Sequence, residues 1–401
     1  MSNRAVRIAM VAGEASGDLL GAHLIAALKR RLPQVEFFGI GGPKMQALGF
    51  QSWYAQETLA VRGYAEVLRR FRKILSIRSA LKRRLLANPP DIFIGVDAPD
   101  FNFGLEKPLK QHGIPCIHYV SPSIWAWRGQ RIHRIGKAVS RILALFPFEP
   151  EIYEKQGIPV SYVGHPLADV LPLEDSRNAA RELFGLPTQR PVFTLLPGSR
   201  QAEVQFMADA FVGAALKVIE SLPDAEFFVP RATRETRLLF EAAMQRANAR
   251  QLPVRLLFGH AHEAMAAADI VLVASGTATL EAALLKRPMV IVYKMAPMTY
   301  RIMRCMKGYL PYIGLPNILA GRFVVPEFIQ DDATPENLAQ ALLNLYADRI
   351  TCAAIAEVFH EIHVQLRQNS AEKAAAAVLL HLPEHFLKPA VADTGHAAHA
   401  A

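Results

Sequence analysis

Short β-branched runs alternate with helix-length segments from the first residues onward, and this alternation limits the folds open to the chain more than any other feature. Arg7–Val11, Glu36–Ile40, Asp91–Val96, Pro115–Tyr119, Ile142–Leu145 and Val160–Val163 are the expected strands of the first half. Val192–Leu196, Ala225–Val229, Val254–Phe258, Ile270–Ala274 and Met289–Tyr293 repeat the style in the second. Strands separated by helical patterns build βαβ units around a parallel sheet. At 401 residues, 51% of them apolar, the chain is too long for one ordinary core. The expected fold class is therefore α/β, with two Rossmann-like, doubly wound domains.

Turn-forming residues from His165-Pro166 through Pro172 to Leu186-Pro187 and Pro191 interrupt both patterns, which places the domain boundary near residue 170. The expected domains are 1–170 and 171–350. After Pro335 the pattern is helical without strands, at Glu336–Tyr346, Thr351–Gln368 and Ala371–Leu382, so 351–382 is read as closing helices. The tail 383–401, rich in Ala, His and Pro, is expected to be disordered.

Lys and Arg number 45 against 36 Asp and Glu, a net charge of +9 that favours phosphates, nucleic acid or anionic lipid without choosing among them. Cys116, Cys305 and Cys352 stand far apart, in no spacing suited to a disulfide framework or a zinc site, and fit a reducing cytoplasm. Ile8–Ala12 is too short for a signal peptide, and no apolar run approaches the ~18 residues of a membrane span. An exported or membrane-spanning protein is thus not expected.

Several turns could carry chemistry. Strand one runs into Ala12-Gly13-Glu14-Ala15-Ser16-Gly17-Asp18 and a helix, a glycine turn whose free N–H groups favour an anion. The plainer alternative is a tight turn with Ser16 or Asp18 as N-cap. No G-x-G-x-x-G fingerprint is present, which argues against a dinucleotide oxidoreductase. Asp97 directly follows an apolar strand, where open α/β sheets bind ligands, and could take a proton from an attacking hydroxyl; Asp100 reads as a helix cap. His118–Arg128 carries Trp125 and Trp127 in a loop, either as a site wall or as core anchors.

Leu195–Arg200 is strand, Pro-Gly turn and helix, in which the Gly198 and Ser199 N–H groups with the Arg200 guanidinium would clamp a diphosphate. Ala274–Glu281 repeats the design: Thr277 and Glu281, four residues apart, share a helical face that could hold phosphate and ribose hydroxyls. Either could also be a routine turn, but two in one domain point to a nucleotide diphosphate. Between Arg62 and Arg84 lie nine Lys or Arg and one acid, Glu66, with Val67, Leu68, Phe71, Ile74, Leu75, Leu81 and Leu85 on one helical face. That is a basic amphipathic helix, made for an anionic membrane or for packing on the sheet.

Together, Ala12–Asp18, Gly41-Gly42-Pro43-Lys44-Met45, Asp97–Asn102, His118–Arg128, Gly164-His165-Pro166, Leu196–Arg200, Ser275–Glu281 and Leu315-Pro316-Asn317 resemble the lipid-A-disaccharide synthases, glycosyltransferase family 19, in order over residues 7 to 380. The resemblance implies a GT-B type fold, with two Rossmann-like domains facing across a cleft and the last helices crossing back. It implies inverting transfer of 2,3-diacylglucosamine from UDP-2,3-diacylglucosamine to the 6-hydroxyl of 2,3-diacylglucosamine 1-phosphate (lipid X), giving the β-1,6 disaccharide 1-phosphate and UDP. Asp97 matches the family's general base, Arg200 stabilises the leaving group, and Ser199, Arg200, Gly276, Thr277, Glu281 and Asn317 match its nucleotide side. Gly13, Glu14, Ser16 and Gly17 match the acceptor-side loop. No cofactor and no metal are expected, in keeping with the lack of an Asp-x-Asp pair.

The expected partners are UDP-diacylglucosamine, lipid X and the anionic inner-membrane surface, reached from the cytoplasmic face through Leu68, Phe71, Ile74 and Leu75. Nucleic acid is not expected, and homo-oligomerisation stays open. The alternatives are another GT-B-like UDP-sugar enzyme, such as a UDP-GlcNAc 2-epimerase, or a non-catalytic basic protein of the membrane surface.

Overall fold

β1 (Val6–Ala12) and β4 (Ile92–Val96) are apolar almost throughout and buried along nearly their whole length, as strands covered on both faces must be. The computed structural model describes residues 4–59, 64–127, 129–231, 233–296, 300 and 311–386, with the backbone alone for 57, 64–71, 126, 127 and 231. The chain divides into two compact units, 1–166 with 369–401, and 167–368.

In the first unit β1 and β4 join β2 (Val35–Ile40), β3 (Gln51–Ser52), β5 (Cys116–Tyr119), β6 (Arg141–Ala144) and β7 (Val160–Tyr162) in one parallel sheet, ordered β3-β2-β1-β4-β5-β6-β7. The second unit holds β8 (Val192–Leu196), β9 (Glu226–Arg231), β10 (Val254–Phe258), β11 (Ile270–Ala274), β12 (Met289–Tyr293) and β13 (Glu327–Ile329) in the order β10-β9-β8-β11-β12-β13, again parallel. All eleven expected strands form; the two short edge strands β3 and β13 were outside the expected set.

Side chains alternate across the first sheet, so each face has its own core. Ile8, Met10 and Ala12 pack with Leu24, Ile25 and Leu28 of the helix Ala15–Arg31 and with Val378 of the helix Ser370–Leu379. Ala9, Val11 and Phe93 pack on the other side with Ile77, Leu81 and Leu85 of the helix Tyr64–Ala87. The described half of that basic helix is therefore a core helix. Ile74 sits at the margin of the same core and Leu75 is half-buried; the side chains of Leu68 and Phe71 lie outside the described residues. Among the described residues no helix is long and apolar enough to cross a membrane.

The C-terminal helices do not act as one group. Arg349–Leu366 belongs to the second unit, whereas Ser370–Leu379 belongs to the first, where Glu372 takes hydrogen bonds from Arg30 and Arg31. The stretch expected to be disordered starts with an ordered turn, Glu384–Phe386. Phe386 packs on the first core with the Arg4 guanidinium 5.0 Å from its ring centre; residues 387–401 lie outside the described residues.

One buried cation organises the start of the second unit. Arg181, 1% exposed, donates to the carbonyls of Ala267, Pro187, Thr188 and Arg190 and to Asp269 Oδ2 at 2.8 Å, while the same Asp269 oxygen accepts the Val192 N–H that begins β8. Removing one partner of such a pair strands the other charge without water. Asp269→Ala is expected to destabilise this unit by about 3–5 kcal/mol, read as an earlier midpoint in chemical denaturation; an unmoved midpoint would show the pair to be dispensable.

Candidate active site

Where a parallel sheet reverses its strand order, the helices leaving two neighbouring strands go to opposite faces and open a crevice at the strands' carboxyl ends. In the first unit this falls between β1 and β4, with Ala12 beside Val96; in the second it falls between β8 and β11, with Leu196 beside Val273. The glycine turn, the Asp97 turn and the two turns of the second unit leave these four strand ends, whereas the His118–Arg128 loop leaves β5 beside β4.

After β1, Gly13 and Gly17 are buried while Glu14 and Ser16 are exposed. A Cβ at Gly13 would lie 3.0 Å from Ala98 Cβ, so this loop touches the turn after β4. Neither Ser16 nor Asp18 caps the helix, whose N-cap is Glu14 without a side-chain bond. Asp18 is buried and instead accepts the N–H groups of Lys44 and Met45, both at 3.0 Å, at the start of the helix Pro43–Ala47. Buried Gln56 donates to the carbonyls of Ala12 and Glu14 at 3.3 and 2.6 Å. A cavity of about 300 Å³ opens beside it, walled by Gly41, Gly42, Ser52, Trp53, Tyr54 and Gln56.

After β4, half-buried Asp97 and its neighbour Ala98 adopt left-handed conformations, with φ of 53° and 45°. Such backbone costs roughly 1–2 kcal/mol in a residue with a Cβ and is stored where surrounding bonds impose it. Those bonds are present: the Asp97 N–H donates to Tyr119 O at 2.8 Å, and its carbonyl accepts from Asn102 Nδ2 at 2.7 Å. Asn102 is fully buried in the helix Pro99–Gln111 and donates also to Val11 O at 3.3 Å. Asp100 is exposed and caps nothing by its side chain. Beneath lies a pair that sequence reasoning missed, His118 Nδ1 to Glu106 Oε1 at 2.7 Å, both with no exposed surface. Burial pushes the Glu106 carboxyl above its ordinary range against the pull of His118.

Of the two loop tryptophans, Trp125 is half-buried and donates to Glu149 Oε1 at 3.3 Å, with Phe148 edge-on at 5.3 Å; the side chain of Trp127 and all of Arg128 lie outside the described residues. Glu149 also accepts the Leu145 and Phe146 N–H groups, yet burial raises its pKa to about 7.

In the second unit Ser199 and Arg200 are exposed at the start of the helix Gln201–Ser221. Their N–H groups are not free, for both donate to Glu203 Oε2, at 3.0 and 3.2 Å, while Arg200 Nη1 lies 3.3 Å from Glu203 Oε1. The carboxylate thus occupies the N–H groups of this helix start. Gly198, at φ 114°, admits it: a Cβ there would lie 2.5 Å from Glu203 Cβ.

Across the switch point, exposed Gly276 and Thr277 begin the helix Thr277–Leu284, and half-buried Glu281 lies one turn on. His262, unnoticed in the sequence, holds Glu281 Oε2 at 3.0 Å, and this bond keeps its imidazole pKa above the usual value despite partial burial. Asn317 stands in the helix Leu315–Ala320. Its side chain is fully buried, donating to Val325 O and Glu327 Oε1 and accepting from the Val324 and Val325 N–H groups, so every hydrogen-bonding position is filled by the protein itself. The Asn317 side chain thus braces the segment before β13. Among the described residues no three His, Cys, Asp or Glu side chains converge as metal ligands.

The fold and the sequence both have close counterparts. A solved UDP-GlcNAc 2-epimerase from Neisseria meningitidis bound to UDP-GlcNAc superimposes with a TM-score of 0.61 over 94% of this chain and 99% of that one, at 13% identity, which is a likeness of fold alone. The two parallel-sheet α/β units are those of the GT-B type fold. Sequence separates this chain from such epimerases. It is 63% identical over 376 residues to the lipid-A-disaccharide synthase of Dechloromonas aromatica (strain RCB), covering 94% of this chain and 98% of that protein. It is 60% identical over 378 residues to that of Azoarcus sp. (strain BH72), covering 94% and 96%. The family model described as lipid-A-disaccharide synthetase matches residues 8–381, and the chain belongs to that family.

Proposed function

We propose that this chain transfers 2,3-diacylglucosamine from UDP to the 6-hydroxyl of 2,3-diacylglucosamine 1-phosphate with inversion, releasing UDP and the β-1,6 disaccharide 1-phosphate. Family membership sets the reaction class. The observation that carries the residue assignment is the complementary chemistry of the two switch points, a carboxylate at β1/β4 and a guanidinium with two helix starts at β8/β11.

In this reading Asp97 takes the proton of the acceptor 6-hydroxyl as its oxygen attacks the anomeric carbon of the donor sugar. The anomeric C–O bond breaks with its electrons going to the UDP diphosphate. Arg200 and the N–H groups at Ser199, Gly276 and Thr277 meet that growing charge, and Glu281, oriented by His262, takes the ribose hydroxyls. The diphosphate must first displace Glu203 from the Ser199 and Arg200 N–H groups. Glu14 and Ser16, exposed on the loop touching the Asp97 turn, line the acceptor side.

Both substrates carry two acyl chains, and keeping these out of water is worth ~0.8 kcal/mol per CH₂. Docking on the cytoplasmic face of the inner membrane keeps the chains in lipid, and the basic helix Tyr64–Ala87 is the element suited to it.

Mass spectrometry of a reaction with the two acylated sugars tests the function: a disaccharide 1-phosphate is expected, and its absence refutes the reading. Asp97→Asn should lower kcat by about 10²–10⁴-fold while UDP binding stays near wild type, since a general base acts on the acceptor proton alone; a fully active variant discards Asp97 as base. Arg200→Ala should raise the donor KM or lower kcat by roughly 10²-fold, and unchanged donor kinetics would contradict the clamp. Leu68→Ser with Phe71→Ser should weaken binding to anionic vesicles in a sedimentation assay; unaltered binding would move the anchor elsewhere.

A further inference from the structure

Asn102, Glu106 and His118 have no place in the chemistry described above, yet all three are fully buried under the turn that presents Asp97. We infer that Asn102, backed by the Glu106–His118 pair, is the positioning residue that holds the Asp97 carboxylate at the angle its proton transfer requires. This rests on Asp97 being the base.

The geometry is that of a clamp. Asn102 Nδ2 has two hydrogens, and they go to two neighbouring strands: one to Asp97 O at 2.7 Å, at the end of β4, the other to Val11 O at 3.3 Å, in β1. One amide therefore ties both strands of the switch point while it fixes a left-handed residue. The main-chain N–H of Asn102 adds to the turn by donating to Ala98 O at 3.0 Å. Without the Asn102 amide the Asp97 carbonyl loses the bond that fixes it while the Asp97 N–H stays on Tyr119 O, so the residue could turn about that bond toward ordinary φ values and carry the carboxylate with it.

The pair behind it supplies what the amide lacks. Asn102 Oδ1, Glu106 Oε2 and His118 Nε2 are buried without a hydrogen-bond partner among the described residues. Burial pushes the Glu106 carboxyl above its ordinary range, and in its protonated form it would accept from His118 Nδ1–H with Oε1 and offer an O–H from Oε2. Asn102 and Glu106 lie one helical turn apart on one face and crowd the same point over Gly95, where a Cβ would collide with Glu106 Oε1 and lie 3.0 Å from Asn102 Cγ. In the proposed clamp a Glu106 O–H donated to Asn102 Oδ1 would satisfy two of these partnerless atoms and link His118 to the Asp97 backbone. An apolar filling of this space would avoid the desolvation of three polar side chains, so their presence calls for a task other than packing.

The test compares kcat, both KM values, UDP affinity and melting temperature across variants of the full chain. Asn102→Ala should lower kcat by about 10²-fold, the loss expected when a catalytic group is misplaced by an ångström, with donor KM and UDP affinity within about twofold. Glu106→Gln keeps a donor toward Asn102 and an acceptor toward His118, and should hold kcat within about threefold, whereas Glu106→Leu should fall with Asn102→Ala. A structural role alone would lower melting temperature and folded fraction but leave kcat per UDP-binding site intact. If Asn102→Ala does not fold, Asn102→Leu, close to it in size and without a donor, is read in its place. A fully active Asn102 variant beside an inactive Asp97→Asn overturns the clamp and spares the base, whereas a fully active Asp97→Asn overturns both.

Discussion

Every functional element of this protein depends on one constraint, the reversal of strand order inside a fully parallel sheet. Parallel strands need crossover connections, and right-handed crossovers on opposite faces leave the carboxyl ends of the first and fourth strands side by side with no helix above them. The register of Ala12 against Val96 and of Leu196 against Val273 fixes which residues come next into that opening. In the first unit these are a glycine turn and Asp97; in the second, two helix starts and Arg200. A helix start brings unpaired N–H groups, so the second opening suits an anion before any side chain is considered.

The openings carry local costs that the sheets offset. Asp97 and Ala98 are left-handed, and Asn102, Glu106 and His118 place polar atoms where no water reaches. These features persist because the strands around them are buried on both faces by Phe93, Ile94, Ile117 and the helices over them, giving a frame that does not yield to a few kcal/mol of local strain. Gly95 shows how closely frame and site are fitted, since any side chain there would displace the Glu106 carboxyl.

The strands were legible because central parallel strands are continuous apolar runs with nothing else to mean. β3 and β13 were not, because a two- or three-residue edge strand is defined by its neighbour's hydrogen bonds more than by its own composition. The turns at strand ends were legible for the same reason as the strands, whereas the partners of their side chains were not. Asp18 reaches a helix 26 residues away, His262 reaches Glu281 across 19, and His118 reaches Glu106 on an adjacent layer, none of which any local period encodes. Asn317 reads as a ligand residue because its motif does, and only the count of its four bonds reveals a brace. The basic helix was ambiguous in principle, since a helix on a sheet and a helix on a membrane share a 3.6-residue stripe; burial of Ile77, Leu81 and Leu85 decides for its second half.

Under the proposed function Glu203 competes with the donor for the helix start it belongs to. The N–H groups of Ser199 and Arg200 cannot be left without partners, and the nearest carboxylate on their own helix fills the place, admitted by the left-handed Gly198. A diphosphate gains those bonds only by breaking the ones Glu203 already makes, so the net gain is smaller than the contacts alone would give. An internal competitor of this kind weakens the hold on substrate and product alike, and uniform binding of that sort does nothing for the chemical step. In the proposed mechanism the transition state differs by the extra charge on the leaving diphosphate, and the Arg200 guanidinium, exposed and held by one hydrogen bond to Glu203, would turn to meet it.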